Sequence, residues 1–518
     1  MPSSDDPAVS LLAGLNLEQQ KKRARELLNA VRAGEPDALA RFSRHHPQCA
    51  GRTAVSVRAG PWALHDAQLV VAREHGFPSW PRLKAELEGH AAARRTHLFV
   101  REIDFYEDRA EGLVSAHQAA VPSALAQIRE WHPGFGGASD EAIRGAAFDL
   151  DAARLVYARQ HGFRTWSELA ARVAALAKGE LDEPFMRAFE ALRRADLPQL
   201  QALVRAHPEL LRARGTNGNT LLNLAVSLAG SICGPLPPQA DAMFDLLIGP
   251  GSDVDLANDR GWTPLHQAAY ANRPELVMRL LGAGAAVDRE AHGEGGTPLA
   301  VALFWGNREA ADLLAARGIV PLNLRVAAGL GRADLIESLF GSDGALQPEA
   351  ARGRGFYRPH SGFPVWQPSG ERQEILDEAL VWACKSGRLE VLDLLLARGA
   401  RIDADPYRGT PLLWATSCGR LDTVGWLLDH GADVNRRATF GGLAHGDGVT
   451  ALHLAAQQGD LPTTRLLCDC GADPTVEDRI YHSTPSGWAE HGGHTAVRDY
   501  LRSKAPDWAV DGADRSSA

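Results

Sequence analysis

The sequence predicts an all-α solenoid: stacked helix pairs joined by β-turn fingers and preceded by two duplicated helical modules. Two observations carry that prediction. A Thr-Pro-Leu-His-like pattern recurs through the C-terminal two thirds with a period near about thirty-three residues. A second duplication, at a constant offset of 86, runs through the N-terminal third. A chain of 518 residues would otherwise suggest several separate cores, but in a repeat array length counts stacked units.

Three segments define the C-terminal repeat: GWTPLHQAAYANRPELVMRLLGAGAAVD from Gly261, GTPLLWATSCGRLDTVGWLLDHGADVN from Gly409 and GVTALHLAAQQGDLPTTRLLCDCGADP from Gly448. In the first, Pro264 takes an early helical position where a missing N–H costs little, and Thr263 is placed to cap the free amides. Ala268 and Ala269 are small enough for adjacent helices to approach. Leu276, Leu280 and Leu281 recur at helical spacing and supply the apolar stripe. Gly282 and Gly284 suit left-handed turns ending the second helix. One such unit has too thin an apolar face to fold alone, so stacking is required.

This T-P-L-H-x-A…G-A-D pattern resembles the ankyrin repeat, and the resemblance implies an ankyrin-type α-solenoid that binds other proteins. Weaker copies begin near Gly218, Gly296, Leu322, Ile375 and Ser483, and a helix pair from about Phe185 to Leu211 precedes them. Together they make roughly nine units over residues 185–505.

In the N-terminal third, AQLVVAREHGFPSWPRL (Ala67–Leu83) aligns with ARLVYARQHGFRTWSEL (Ala153–Leu169). The same offset brings Leu27 onto Leu113, Ala30 onto Ala116, Pro36 onto Pro122 and His46-Pro47 onto His132-Pro133. A third copy of the first portion, ALRRADLPQLQALVRAHP (Ala191–Pro208), runs into the array. The HGFxSW-type module resembles a segment at the front of some bacterial ankyrin-repeat proteins, and abundant Arg beside scarce Lys also points to a bacterial source. The expected organisation is a disordered tail at 1–15, helical modules at 16–92 and 102–179, the array at 185–505 and a disordered tail at 506–518. Three breaks in the period read as surface loops: 230–240, 341–374 and 436–447.

Composition narrows the function. A formal net charge of −9 argues against a nonspecific nucleic-acid binder. Six scattered cysteines suit free thiols in a reducing compartment better than a disulfide framework. The first residues lack the basic start and apolar run of a signal peptide, and no run is long enough to span a bilayer. A cytoplasmic monomer without membrane association is expected.

Chemical motifs have structural explanations. His75-Gly76-Phe77 and His161-Gly162-Phe163 read as helix ends, with Gly past the last turn and Phe folding back. Ser79 would cap the next helix in the first copy, and Thr165 with Glu168 would form a capping box in the second. Cys468 and Cys470 lack a second ligand cluster at zinc spacing. The glycines at 293–296 and 441–448 lack the strand, helix and Lys-Ser/Thr context of a phosphate loop. No catalytic residue, cofactor or metal is expected. An active site in the N-terminal modules or around Arg358 and His360 of the 341–374 insertion is the rival reading, and an effector exported to another cell is a second.

The resemblance implies that a protein partner contacts the finger tips and the exposed ends of the first helices. Carried over by position, this nominates Asp259, Arg260, Trp262, Tyr270, Phe304, Trp305, Lys385 and Tyr407, with Ser386, Ser417, Cys418, Gln457 and Gln458 at equivalent places. Trp262, Tyr270, Phe304 and Trp305 are expected to form an aromatic strip at the surface. Phe356, Tyr357 and Trp366 of the long insertion are a second candidate patch.

Overall fold

The computed structural model describes residues 17–49, 51–84, 87, 96–232, 234–291, 293–318, 320–355, 368–406, 409–439 and 447–505. Tyr407, the two tails and the centre of the long insertion, with Phe356, Tyr357, Arg358, His360 and Trp366, lie outside the described residues. The chain divides into two compact units, Met1–Leu221 with Asp241–Leu247 and Leu222–Ala240 with Ile248–Ala518.

The first unit carries α1 (Leu17–Ala33), α2 (Pro36–His45), α3 (Ala54–Arg58), α4 (Leu64–Glu74), α5 (Ile103–Gln118), α6 (Pro122–Trp131), α7 (Asp140–Arg144), α8 (Leu150–Gln160), α9 (Trp166–Ala177), α10 (Pro184–Arg193) and α11 (Leu197–Ala206). Then follow α12 (Leu221–Gly230) and α13 (Ala240–Ile248), the turn between them lengthened by the 230–240 segment. The second unit continues with α14 (Pro264–Tyr270), α15 (Pro274–Gly282), α16 (Pro298–Phe304), α17 (Arg308–Arg317), α18 (Leu324–Gly329), α19 (Ala333–Ser338), α20 (Arg372–Ser386), α21 (Leu392–Ala397), α22 (Pro411–Ser417) and α23 (Leu421–Asp429). It ends with α24 (Ala451–Gln458), α25 (Leu461–Asp469), α26 (Pro485–His491) and α27 (Thr495–Lys504). Strands are confined to short pairs: Thr96–His97 beside Arg214–Gly215 in the first unit, and Ala438–Thr439 beside Asp447–Val449 in the second. The latter pair is antiparallel and lies at the two ends of the 436–447 extension.

The duplication is exact in register at three helices. The bounds of α2, α3 and α4 recur 86 residues later as those of α6, α7 and α8. Both HGF segments end a helix in the same way. Gly76 and Gly162 take φ of +79° and +82°, and Phe77 and Phe163 donate their N–H back to Ala72 and Ala158 at 3.0 and 2.8 Å. This is the hydrogen-bond pattern of a Schellman helix end, which satisfies otherwise orphaned carbonyls. The expected capping box is only half formed. Thr165 Oγ1 accepts the Glu168 N–H at 3.3 Å, but the Glu168 carboxylate takes the N–H of Arg164, one residue before the cap.

One turn recurs in both units. At the ends of ten first helices among the described residues, as after Gly76 and Gly162, a residue with left-handed backbone is followed by an N–H that bonds to an alanine carbonyl five residues before it. The acceptors are Ala30, Ala116 and Ala191 in the first unit. In the second they are Ala268, Ala302, Ala327, Ala383, Ala415, Ala455 and Ala489, with N···O distances of 2.8 to 3.1 Å throughout. Alanine serves because the position faces the next first helix, and all seven acceptors of the second unit are buried there. The helix pair at 184–206, placed at the head of the array by its sequence, makes this turn within the first unit.

Four second helices of the array end on a left-handed glycine, Gly284, Gly399, Gly431 and Gly471, whereas Gly318 is extended and α19 and α27 end on Leu339 and Ala505. Gly282 is not left-handed; it is the last helical residue of α15, so only one of the two glycines expected there makes the turn. The leucines of successive second helices, Leu395, Leu427, Leu467 and Leu501, belong to one buried cluster spanning Leu324 to Leu501. That continuity is the shared core that stacking was expected to provide.

Candidate partner-binding site

Each finger is shaped locally before anything binds it. Asn258 Oδ1 accepts the N–H groups of Arg260 and Trp262 at 3.0 and 3.1 Å, and Gly261 turns between them with φ of +78°. Asp253, Asp433 and Asp473 each accept an N–H two residues on, so these carboxylates trim turns. Thr263 Oγ1 then caps α14 by accepting the His266 N–H at 3.3 Å.

His266 joins neighbouring units. Its Nδ1 accepts from Thr263 N–H at 3.2 Å, which leaves Nε2–H to donate to Gly296 O of the next finger at 3.0 Å. His453 repeats the arrangement with Thr450 and Ser483 O at 3.1 and 3.2 Å. Burial favours the neutral ring in both, holding each pKa down at about 4.

A second link runs the other way. The residue after the left-handed turn reaches back to the carbonyls that end the preceding first helix. Asn307 Nδ2 donates to Ala269 O and Tyr270 O at 2.8 and 3.0 Å, and Arg388 Nε to Gly329 O at 3.1 Å. Arg420 Nε donates to Lys385 O at 3.0 Å, and His494 Nε2 lies 3.0 Å from Gln457 O. Cationic side chains suit a helix C-terminus, where the backbone dipole is negative. Sequence reasoning passed over these residues, although the Gly-Arg pairs at 387–388 and 419–420 carry a signal; the one at 331–332 does not follow it, since Arg332 pairs with Asp334 instead.

The nominated binding residues separate into two groups. Arg260 is exposed, and Asp259, Tyr270 and Trp305 are half-buried. The rings of Tyr270 and Trp305 meet edge to face at 5.4 Å, an aromatic pair contributed by two units. The other three described residues lie inside. Trp262 and Phe304 retain 5% and 4% of their surface, and Lys385 none. The expected four-residue surface strip is therefore corrected to a pair, Tyr270 and Trp305. Trp262 packs its ring 5.6 Å from Tyr270, and Phe304 lies beneath Trp305 at 5.4 Å between ring centres. Ser386 is also fully buried, Ser417 and Cys418 are half-buried, and Gln457 and Gln458 are exposed.

Lys385 is buried because three turns approach one another. Arg420 reaches Gly306 O as well as Lys385 O, Cys418 Sγ lies 3.8 Å from Trp305 O, and Arg308 donates to Gly387 O at 3.2 Å. A Cβ on Gly306 would sit 2.6 Å from Lys385 O, so only glycine fits there. The ammonium lies 4.0 Å from the Phe304 ring centre and 3.8 Å from that of Trp414, and it has no hydrogen-bond partner among the described residues. Burial pushes its pKa down to about 8.

The described flanks of the long insertion are fastened by a buried ionic network. Glu378, fully buried on α20, receives Arg325 Nη1 at 2.7 Å and also the Arg354 guanidinium. Arg325 bonds Gly353 O at 2.7 Å, while Arg354 bonds Glu374 and Ser369 O at 2.7 and 2.6 Å. Of the other candidates, His161 bridges Tyr157 O and Thr216 Oγ1, both at 2.8 Å, and His75 lies 3.1 Å from Gln20 Oε1. The two HGF histidines thus hold their own module in different ways. Cys468 is half-buried and Cys470 exposed. Among the described residues no group of three or more His, Cys, Asp or Glu is placed to hold a metal ion.

Comparison with known families places the repeats. A model of ankyrin repeats in three copies matches residues 239–323 and 361–438, and a single-repeat model matches 447–479. Both stop short of the duplicated N-terminal modules. Among curated proteins, 57 residues are 44% identical to Potassium channel AKT3 of Oryza sativa subsp. japonica, covering 11% of this chain and 6% of that protein. A stretch of 80 residues is 36% identical to SMC5-SMC6 complex localization factor protein 1 of Bos taurus, covering 15% and 8%. The chain thus spans less than a tenth of the length of these two. A stretch of 95 residues is 30% identical to Notch-regulated ankyrin repeat-containing protein of Xenopus tropicalis, covering 18% of this chain and 75% of that one. With the helix pairs, fingers and Thr-Pro-Leu-His geometry already described, these matches establish that the chain belongs to the ankyrin-repeat proteins.

Proposed function

We propose that this chain is a non-enzymatic scaffold that binds a protein partner through the finger tips and the ends of the first helices of its middle repeats. The observation that carries the reading is the Tyr270–Trp305 pair, two half-buried rings from adjacent units at 5.4 Å, with Asp259 and exposed Arg260 on the neighbouring finger. Aromatic anchors beside polar groups are the usual hot spots of protein interfaces. The matched segments occur in proteins as different in name as a potassium channel and a complex localization factor, which favours a binding module over one shared activity.

Buried polar groups support the non-catalytic reading, since several serve the fold. His266 and His453 hold fingers, Glu378 holds two arginines, and Tyr106 OH donates to Val100 O at 3.0 Å. The proposed partner is a protein, not a nucleic acid or a membrane. The acidic balance of −9 favours this, and no helix among the described residues is long and apolar enough to cross a bilayer. A monomer in the cytoplasm completes the reading, and the five described cysteines, all free, suit a reducing compartment.

The test is a Tyr270→Ala, Trp305→Ala double variant used as affinity bait beside the parent chain. Circular dichroism should show the parent helix content, and recovery of the partner identified with the parent bait should fall at least about tenfold. Undiminished recovery by the folded variant would remove this face as the interface.

A further inference from the structure

We propose that the groove between the second helices α23 and α25 is a docking site for a cationic amphipathic helix of a partner protein, separate from the finger surface. The groove is shallow and open to solvent, offers about 620 Å³ and is lined by Leu389, Leu421, Trp426, Pro462 and Leu466 around the backbone of Gly425. Asp422, Asp429 and Asp469 form its rim, all exposed, and no Lys, Arg or His lines it.

Three features select the occupant. The first is the floor. Leu421 keeps 39% of its surface exposed, unusual for a leucine in this chain, and Leu389, Trp426 and Leu466 are half-buried against the core beneath. At Gly425 the helix surface is bare: a Cβ there would meet only Leu466 Cδ2, at 3.8 Å. A partner side chain can enter at that point without displacing anything.

The second is charge. Among the described residues no ion pair engages the three rim carboxylates, and they are the only charged groups lining the groove. A cationic rim on the partner complements it, whereas an acidic one would be repelled. The third is length. Each helix has nine residues, about 13 Å of groove, which matches two to three turns of a helix laid along it. Trp426 is held in place for such contact, since the His430 ring stacks on it at 3.8 Å and His430 Nδ1 lies 2.7 Å from Trp426 O.

The experiment titrates the full chain against a fluorescent helical peptide of leucine and lysine in amphipathic order, and against its counterpart with glutamate for lysine. The expected result is saturable binding of the lysine peptide with one site per chain, weakening as salt is added, and none of the glutamate peptide. Replacing Asp422, Asp429 and Asp469 with Asn should weaken binding about tenfold at low salt. Gly425→Leu, which fills the entry point and replaces glycine with a better helix former, should abolish it while circular dichroism stays unchanged. The Tyr270→Ala, Trp305→Ala variant should bind the peptide as the parent does, so the two surfaces are tested independently. Equal binding of both peptides, full binding by folded Gly425→Leu, or self-association of the chain that Gly425→Leu removes without any peptide binding would each overturn the proposal.

Discussion

The N-terminal modules and the C-terminal array close their first helices on the same hydrogen bond, yet they reach the left-handed backbone differently. After Asn272, the array places glycine at every such turn, from Gly306 to Gly493. The first unit uses Gly34 once and then alanine, at Ala120 and Ala195, with φ of +52° and +53°. An L-residue with a Cβ is strained there by about 1–2 kcal/mol. The helix pairs therefore impose the turn on whatever residue occupies it. The geometry belongs to the packing of two helices, and glycine only makes it easier.

The largest expected difference between the regions is ionic. Glu378→Ala would remove the carboxylate that two buried guanidiniums of the array share, and should cost roughly 3–5 kcal/mol in urea unfolding. Arg41→Ala in the first unit breaks a part-exposed bidentate pair with Glu74, at 2.7 and 2.8 Å, and should cost at most about 1 kcal/mol. Similar costs for the two would erase the contrast.

Acidification should act on the array next. Burial lowers the pKa of His266 and His453 to about 4 in the folded chain, against roughly 6.5 when unfolded. Between those values the unfolded chain takes up protons that the folded one refuses. Stability from these rings is thus complete above about pH 6.5 and drains as pH falls towards 4, by about 3 kcal/mol per histidine at full extent. Urea midpoints followed from pH 7 to pH 5 should drop, and His266→Gln with His453→Gln should flatten the slope.

The smallest effects concern the shared turn itself. Ala120→Gly and Ala195→Gly should each raise stability by up to about 1 kcal/mol, while Gly419→Ala, where a Cβ would have open space around it, should lower it by about 1 kcal/mol. Calorimetry of the three variants decides whether backbone strain alone separates the two regions.

Most of the architecture was readable because it is local. Thr263, Pro264 and His266 form their cap within one turn of helix, and the offset of 86 reproduced three helix bounds in register. Burial at the proposed surface was not readable, because it is long-range. Lys385 occupies a position that is exposed when turns of successive units stay apart. Here Gly306, Gly387 and Cys418, up to 112 residues distant, are brought together, and no periodicity reports such an approach. Phe304 was misplaced for the same reason, whereas Tyr270 keeps part of its ring outside.

The reciprocal links between neighbours bear on how the chain tolerates cutting. The His266 ring donates to a carbonyl of the unit that follows, and the carbonyls of Ala269 and Tyr270 accept from Asn307, again one unit later. Severing the array at a repeat boundary would bare a histidine and a helix end together on the N-terminal fragment. Fragments designed for crystallisation or display should therefore carry one extra downstream repeat as a cover, even where the residues of interest end a repeat earlier.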